Sequence, residues 1–147
     1  MNKQIALITG ATSGIGEACA RKFAEGGYNL ILTGRNAQKL NAIAAELRQT
    51  GVDVATLVFD VRQAEEARKA WESLDAAWQQ VDVLINNAGL ALGLEKEYEG
   101  DPTDWEIMID TNIKGLLTMT RLVVPGMVAR NQGHVINIGS VAGDAAY

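Results

Sequence analysis

Thr9-Gly10-Ala11-Thr12-Ser13-Gly14-Ile15-Gly16 is the stretch that decides the fold. It follows the apolar run Ile5-Ala6-Leu7-Ile8 and opens a segment of helical periodicity from about residue 14 to residue 25. A glycine triplet placed between a strand and a helix is the setting of a phosphate cradle. The spacing here is G-x-x-x-G-x-G rather than the commoner G-x-G-x-x-G. Gly10 permits a tight turn, and the missing side chains at Gly10 and Gly14 let the backbone approach a pyrophosphate. Gly16 lets the following helix lie close to the strand. The helix N-terminus then directs N–H groups and a partial positive charge at the anion. Thr12 and Ser13 add hydroxyl donors, and Ile15 completes the cradle.

Working outward, two periodicities alternate along the chain. Apolar runs at residues 28–33, 52–59, 81–85 and 135–138 predict further strands. Between them, Asn36 opens a helix with Leu40, Ile43, Ala44 and Leu47 on one face, which Gly51 ends. The next helix carries Ala67, Ala70, Trp71, Leu74, Ala77 and Trp78 at core spacing. Residues 90–101 form a loop whose Glu95, Glu97 and Glu99 face water. Thr103 and Glu106 fit a capping box at the start of a long apolar helix, which Pro125 and Gly126 are expected to bend or end. Strand-helix alternation throughout predicts an α/β, Rossmann-like, doubly wound parallel sheet of five strands. Its ligand cleft is expected at the carboxyl edge, where the loops after Thr9, Thr33, Phe59, Ile85 and Ile138 converge. No internal repeat or second domain is visible, so residues 1–147 are expected to form a single dinucleotide-binding domain.

Composition narrows the function. The chain has 147 residues, of which 48% are hydrophobic and 21% charged, as in an ordinary globular protein. A net charge of -5 weighs against nucleic acid, whose phosphates demand clustered positive charge. The single cysteine, Cys19, forms no intrachain disulfide and is expected to pack as a small apolar residue. No cysteine–histidine cluster has metal-ligand spacing. His134, the only histidine, sits at a strand entrance and suggests structure rather than catalysis. The first apolar run is too short for a signal peptide or a membrane span. These features together predict a cytoplasmic protein with a small-molecule substrate.

Residues 9–16 resemble the cofactor motif of the short-chain dehydrogenase/reductase family, and four more segments fit it in order. Asp60-Val61 closes the third strand, where family members contact adenine. Asn86-Asn87-Ala88-Gly89 resembles the family's signature after the fourth strand. Asn112 falls where the family has a structural and catalytic asparagine, and Ser140 where it has its catalytic serine. The resemblance covers essentially the whole chain and implies hydride transfer between a nicotinamide cofactor and an alcohol or ketone carbon. It also implies a tyrosine base with a nearby lysine, a serine holding the substrate oxygen, and an asparagine supporting a water in a proton relay. The family's Tyr-x-x-x-Lys lies farther beyond the serine than Tyr147 allows. Tyr147 is therefore expected to be a loop or packing residue, and this stretch alone is not expected to turn over. The last strands of the family fold are expected to be missing, leaving an exposed edge.

The second strand ends Leu32-Thr33-Gly34-Arg35-Asn36. NAD-binding proteins carry a carboxylate there, which would repel a 2′-phosphate. Arg35 offers a planar fork of donors instead, with Asn36 beside it, so NADP is the expected cofactor. Finer stretches, such as Asn87-Ala88-Gly89-Leu90-Ala91-Leu92-Gly93 and Asp104-Trp105-Glu106, are similar to NADP-dependent 3-hydroxy acid dehydrogenases, which oxidise serine and allo-threonine. The resemblance implies a homo-tetramer for the complete protein, built partly on the long helix. Two alternatives stay open: a non-catalytic NADP-binding module, or a reductase of 3-ketoacyl or sugar substrates.

Overall fold

The computed structural model describes residues 3–144; Tyr147 lies outside the described residues. Five strands, β1 (Ile5–Ile8), β2 (Asn29–Gly34), β3 (Val54–Val58), β4 (Val83–Asn86) and β5 (His134–Asn137), form one parallel sheet in the order β3-β2-β1-β4-β5. The expected five-stranded Rossmann-like α/β sheet is therefore present. Leaving β1, the chain builds outward to β3 on one side and then returns to pair β4 on the other. The strand order thus reverses between β1 and β4, which opens a crevice at their carboxyl ends.

Side-chain alternation along the strands explains why both faces must be covered. Ala6, Ile8, Leu30 and Leu32 point to one side, with Leu40, Ile43, Ala44 and Leu47 of α2 (Ala37–Arg48) and Ala20 and Ala24 of α1 (Gly14–Glu25). Ile5, Leu7, Ile31 and Leu84 point to the other. There they meet Ala67 of α3 (Ala64–Glu72) and Met119, Val123 and Met127 of α5 (Leu116–Arg130). All four residues of β1 are buried, as expected of a central strand covered on both faces. β5 is an edge strand, with His134 and Asn137 exposed. Among the described residues no helix is long and apolar enough to cross a membrane.

Three local expectations are corrected. The helix after the acidic loop, α4 (Pro102–Ile109), is capped by Asp101, whose carboxylate accepts from the Thr103 N–H at 2.8 Å. Pro102 takes the first helical position because its fixed φ suits it and its missing N–H is not needed there. That moves the cap two residues ahead of Thr103. The long helix also does not end at Pro125-Gly126. It passes through a π-helical segment at Asp110–Gly115 into α5 and runs on to Arg130. It stops at Asn131, held left-handed at φ 51°. The Gln132 N–H bonds back to the Met127 carbonyl at 3.0 Å, closing the helix end. Finally, α3 ends at Glu72, so Leu74 and Trp78 lie in turns. The Asp75 carbonyl accepts there from the N–H groups of Trp78 and Gln79, and both apolar side chains still pack on the second core.

Asn131 is the one described residue other than glycine with positive φ. Replacing it by alanine removes the side chain that tolerates this conformation and is expected to cost about 1 kcal/mol, whereas glycine should be near neutral. Urea unfolding of Asn131→Ala and Asn131→Gly checks both.

Candidate functional site

The crevice begins with one threonine. The Thr9 hydroxyl oxygen accepts from the backbone N–H groups of Asn87 at 3.0 Å and Ala88 at 2.9 Å. The Asn87 side-chain amide donates in return to the carbonyls of Thr9 and Gly10, both at 3.1 Å. These four bonds join the loop after β1 to the loop after β4 across the point where the strand order reverses. Gly10 (φ +61°) lies so close beneath that a Cβ would stand 3.0 Å from Ala88 Cα. At Gly16 a Cβ would come within 2.1 Å of the Gly10 carbonyl oxygen. Gly16 is therefore what lets α1 start directly under the turn. It does not line the cleft, so its expected place among the cofactor contacts becomes one of packing beneath them.

The cleft above has a volume of about 790 Å³, within the range of small-molecule sites. It brings together Gly10, Thr12, Ser13, Gly14, Ile15, Arg35, Asp60, Val61, Asn87, Ala88, Gly89, Asn112 and Ser140. All five loops predicted to converge supply walls. Asn36 is the other expected residue that stays outside. It caps α2, its side chain accepting from the Lys39 N–H at 3.0 Å.

Several features of the cleft suit a polyanionic ligand. Gly14 (φ +56°) is left-handed, and a Cβ added to it would meet nothing within 4 Å, so open space lies where a side chain would project. Ser13 is the N-cap of α1 but makes no capping hydrogen bond, which leaves the positive end of the helix for another acceptor. Arg35 is exposed and forms no ion pair or hydrogen bond among the described residues. Deeper in, Asn86 Oδ1 and Thr111 Oγ1 are buried without a partner, in a wall that faces the cleft. A nicotinamide dinucleotide carries phosphates, ribose hydroxyls and an amide, and these residues fit such a group.

Asn112 and Ser140 are held differently. The Asn112 side chain donates to the Leu90 carbonyl at 2.7 Å and accepts from the Leu90 N–H at 2.9 Å. It thus clamps the loop after β4 to the π-helical segment. Ser140 starts a short 3₁₀ turn, and its oxygen accepts from the Ala142 N–H at 3.1 Å. That bond uses a lone pair and leaves the hydroxyl hydrogen free to donate into the cleft.

At the β3 end, Asp60 is gripped by Arg62. Arg62 Nη2 donates to Oδ2 at 2.7 Å, Nε to the same oxygen at 3.0 Å, and the Arg62 backbone N–H to Oδ1 at 3.0 Å. These bonds hold the Asp60 carboxyl below the usual aspartate range, with Arg35 adding a smaller pull. The contribution of this pair to stability is therefore full above the ordinary aspartate pKa and fades as pH falls through the lowered one. Sequence reasoning missed Arg62 and Thr111, and took Asn86 only as the first residue of the signature after β4. The Asp-Val-Arg spacing was the available signal for Arg62. Asn86 is the last residue of β4, opposite Asn137 in register; its amide donates to Asn137 Oδ1 at 3.0 Å.

A parallel sheet with a glycine cradle at its reversal point defines a Rossmann-like nucleotide-type site. A family model described as short chain dehydrogenase matches residues 4–147. This chain belongs to the short-chain dehydrogenase family. It is 53% identical over 143 residues to the NADP-dependent 3-hydroxy acid dehydrogenase YdfG of Salmonella typhi, covering 97% of this chain and 56% of that protein. It is 50% identical over 147 residues to a probable NADP-dependent dehydrogenase of Haemophilus influenzae, covering all of this chain and 57% of the other. The chain therefore spans little more than half the length of these curated relatives. Among solved structures, serine dehydrogenase from Escherichia coli superposes with a TM-score of 0.89 at 48% identity, over 98% of this chain and 65% of that one. The closed form of serine dehydrogenase complexed with NADP+ gives 0.90 at 49% identity, over 98% and 57%.

Thr9→Val keeps the shape of the side chain but leaves the N–H groups of Asn87 and Ala88 without their acceptor. We expect a loss of about 2–3 kcal/mol, against little change for Thr9→Ser. Denaturant unfolding measures it, and an unchanged midpoint for the valine variant would show the two bonds accepted by the Thr9 hydroxyl to be dispensable.

Proposed function

We propose that the whole protein is an NADP-dependent oxidoreductase acting on a secondary alcohol or ketone, with a 3-hydroxy acid such as serine or allo-threonine as substrate. The observation that carries this reading is the pairing of an uncapped helix N-terminus at Ser13 with an unpaired Arg35 in one cleft. The names of the relatives, NADP-dependent 3-hydroxy acid dehydrogenase and serine dehydrogenase, support it.

In this reading Gly10, Thr12, Ser13, Gly14 and Ile15 hold the pyrophosphate and its neighbourhood. Arg35 takes the 2′-phosphate, Asp60 and Val61 the adenine, and Asn87, Ala88 and Gly89 the nicotinamide-side ribose. When bound, NADP supplies the hydride acceptor or donor. Ser140 donates its free hydroxyl hydrogen to the substrate oxygen and stabilises charge that builds there. Asn112 keeps the loop at Leu90 in place. Each end of its side-chain amide makes one bond there, which leaves one hydrogen and one lone pair to hold the relay water. Oxidation also needs a base for the alcohol proton, and these 147 residues contain no Tyr-x-x-x-Lys pair. We therefore expect them to bind the cofactor but not to turn over alone, since general base catalysis contributes about 10²–10⁴-fold.

The complete protein is proposed to be a homo-tetramer. Trp105, Ile109, Ile113 and Leu117, spaced four apart along α4, the π-helical segment and α5, are exposed apolar side chains and support a packing face on this helix. No nucleic acid or membrane partner enters the proposal.

Titration of the purified chain with NADPH and NADH, followed by cofactor fluorescence, tests the reading. NADPH is expected to bind at least about ten-fold more tightly, the size of a charge-assisted hydrogen bond to the extra phosphate. Arg35→Ala should remove most of that advantage while leaving NADH binding nearly unchanged. Equal affinity for the two cofactors, or none for either, overturns the assignment.

A further inference from the structure

The loop after β4 is fastened to the long helix at two points. Asn112 holds both backbone groups of Leu90, at 2.7 and 2.9 Å. One turn earlier on the helix, the Met108 sulfur accepts from the Leu92 N–H at 3.4 Å. Among the described residues, 91–96 make no other hydrogen bond to the rest of the fold. The Leu94 N–H turns to the carboxylate of its neighbour Glu95, and the Leu94 side chain is fully exposed. Leu90 and Ala91 line the cleft. One thioether thus fastens the free part of a loop whose first residues wall the ligand site. Met108 is also the methionine that solvent reaches. It is half-buried, whereas Met119 is fully buried and Met127 nearly so. Gly133 lies tightly against Met127, since a Cβ there would stand 2.5 Å from its Sδ.

We propose that Met108 is a redox-sensitive clasp: a hydroperoxide converts its thioether to the sulfoxide, which releases the loop at Leu92 and weakens the hold of the cleft on its cofactor. In that step a sulfur lone pair attacks one peroxide oxygen and the O–O bond breaks. The sulfur gives up two electrons, and the proton of the transferred oxygen passes to the departing one, which leaves as water or an alcohol. The geometry explains why the loop is released. Leu92 occupies one sulfur lone pair and leaves the other for the oxidant. Oxygen added there draws electrons from the sulfur and ends its service as an acceptor. Oxygen added on the Leu92 side would need a hydrogen bond of its own, about 2.9 Å long, beyond the sulfur–oxygen bond. The 3.4 Å between sulfur and nitrogen cannot hold both. A polar sulfoxide also replaces an apolar side chain against the loop. The consequence for the cofactor rests on the reading of the cleft as an NADP site, in which Asn87, Ala88 and Gly89 of this same loop hold a ribose.

Mild treatment of the purified chain with hydrogen peroxide, followed by peptide mass mapping, locates the added oxygen. Met108 is expected to gain it ahead of Met119, Met127 and Cys19. Hydrogen exchange followed by NMR then reads the Leu92 amide. Its protection should fall about ten-fold, the size of one hydrogen bond, while Leu90, held by Asn112, keeps its own. Methionine sulfoxide reductases of both stereospecificities, with a thiol, should restore it. Met108→Leu keeps the bulk without the acceptor, so its Leu92 amide should be unprotected from the start and indifferent to peroxide. Thermal melts check that this variant folds, and the oxidised unaltered chain decides on its own if it does not. With the peroxide removed, NADPH should bind the oxidised chain about three-fold more weakly, because a looser loop must be ordered again on binding. Oxidation that begins at another residue overturns the inference. So does a Leu92 amide that keeps its protection in the sulfoxide or in Met108→Leu. A released Leu92 with unchanged NADPH affinity overturns the link to the cleft. If the untreated chain binds no NADPH, the NADP reading falls, and the exchange measurement still decides whether Met108 holds the loop.

Discussion

The hydroxyl of Thr9 is the point on which the upper edge of the sheet depends. A doubly wound sheet has a structural problem where its strand order reverses, because the chains leaving neighbouring strands diverge to opposite faces. Backbone groups at that point lose their ladder partners and still need satisfaction. Here one side-chain oxygen takes the N–H groups of Asn87 and Ala88, and Asn87 returns two bonds to the backbone of Thr9 and Gly10. The gap between the diverging loops is therefore a braced opening and not a flaw. Gly10 and Gly16 are consequences of that bracing, since the loops are drawn too close for a side chain at either position.

From this junction the rest of the cleft follows in sequence. The glycine-rich turn rises from the β1 side and the segment from Asn87 to Gly89 from the β4 side. Leu90, the next residue, is tied by Asn112 to the π-helical segment of the long helix. That segment in turn approaches Val61, because Gly115 has no side chain to keep it away; a Cβ there would lie 2.9 Å from Val61 Cγ2. The path returns through Asp60 and Arg62 to the end of β3. The walls thus form a continuous series of close contacts from the loop after β1 to the end of β3.

How much of this was legible depended on whether the determinant was local. The glycine cradle, the strands and the convergence of five loops follow from spacing and periodicity, which a sequence displays directly. The capping of α4 was misplaced because Thr103 and Glu106 satisfy the pattern, while Pro102 decides the matter by occupying the first helical position. Pro125 was expected to interrupt a helix that continues through it to Arg130, since burial of Met119, Val123 and Met127 on the sheet holds the helix together. The site was read mostly by resemblance. Asn36 and Gly16 stand next to the cleft in sequence but serve the backbone. The unpartnered Asn86 Oδ1 and Thr111 Oγ1 could not be foreseen, because they depend on which side chains meet in space.

Ser13 illustrates a wider consequence. It occupies the position that normally closes a helix N-terminus and leaves that end open. Whatever anion supplies the missing acceptor becomes part of the fold's own energetics. Occupancy then adds RT ln(1 + [L]/Kd) to the folding free energy, so the protein's resistance to unfolding rises and falls with the amount of its ligand. An open helix end thus couples the stability of this fold to the occupancy of one small stretch of its surface.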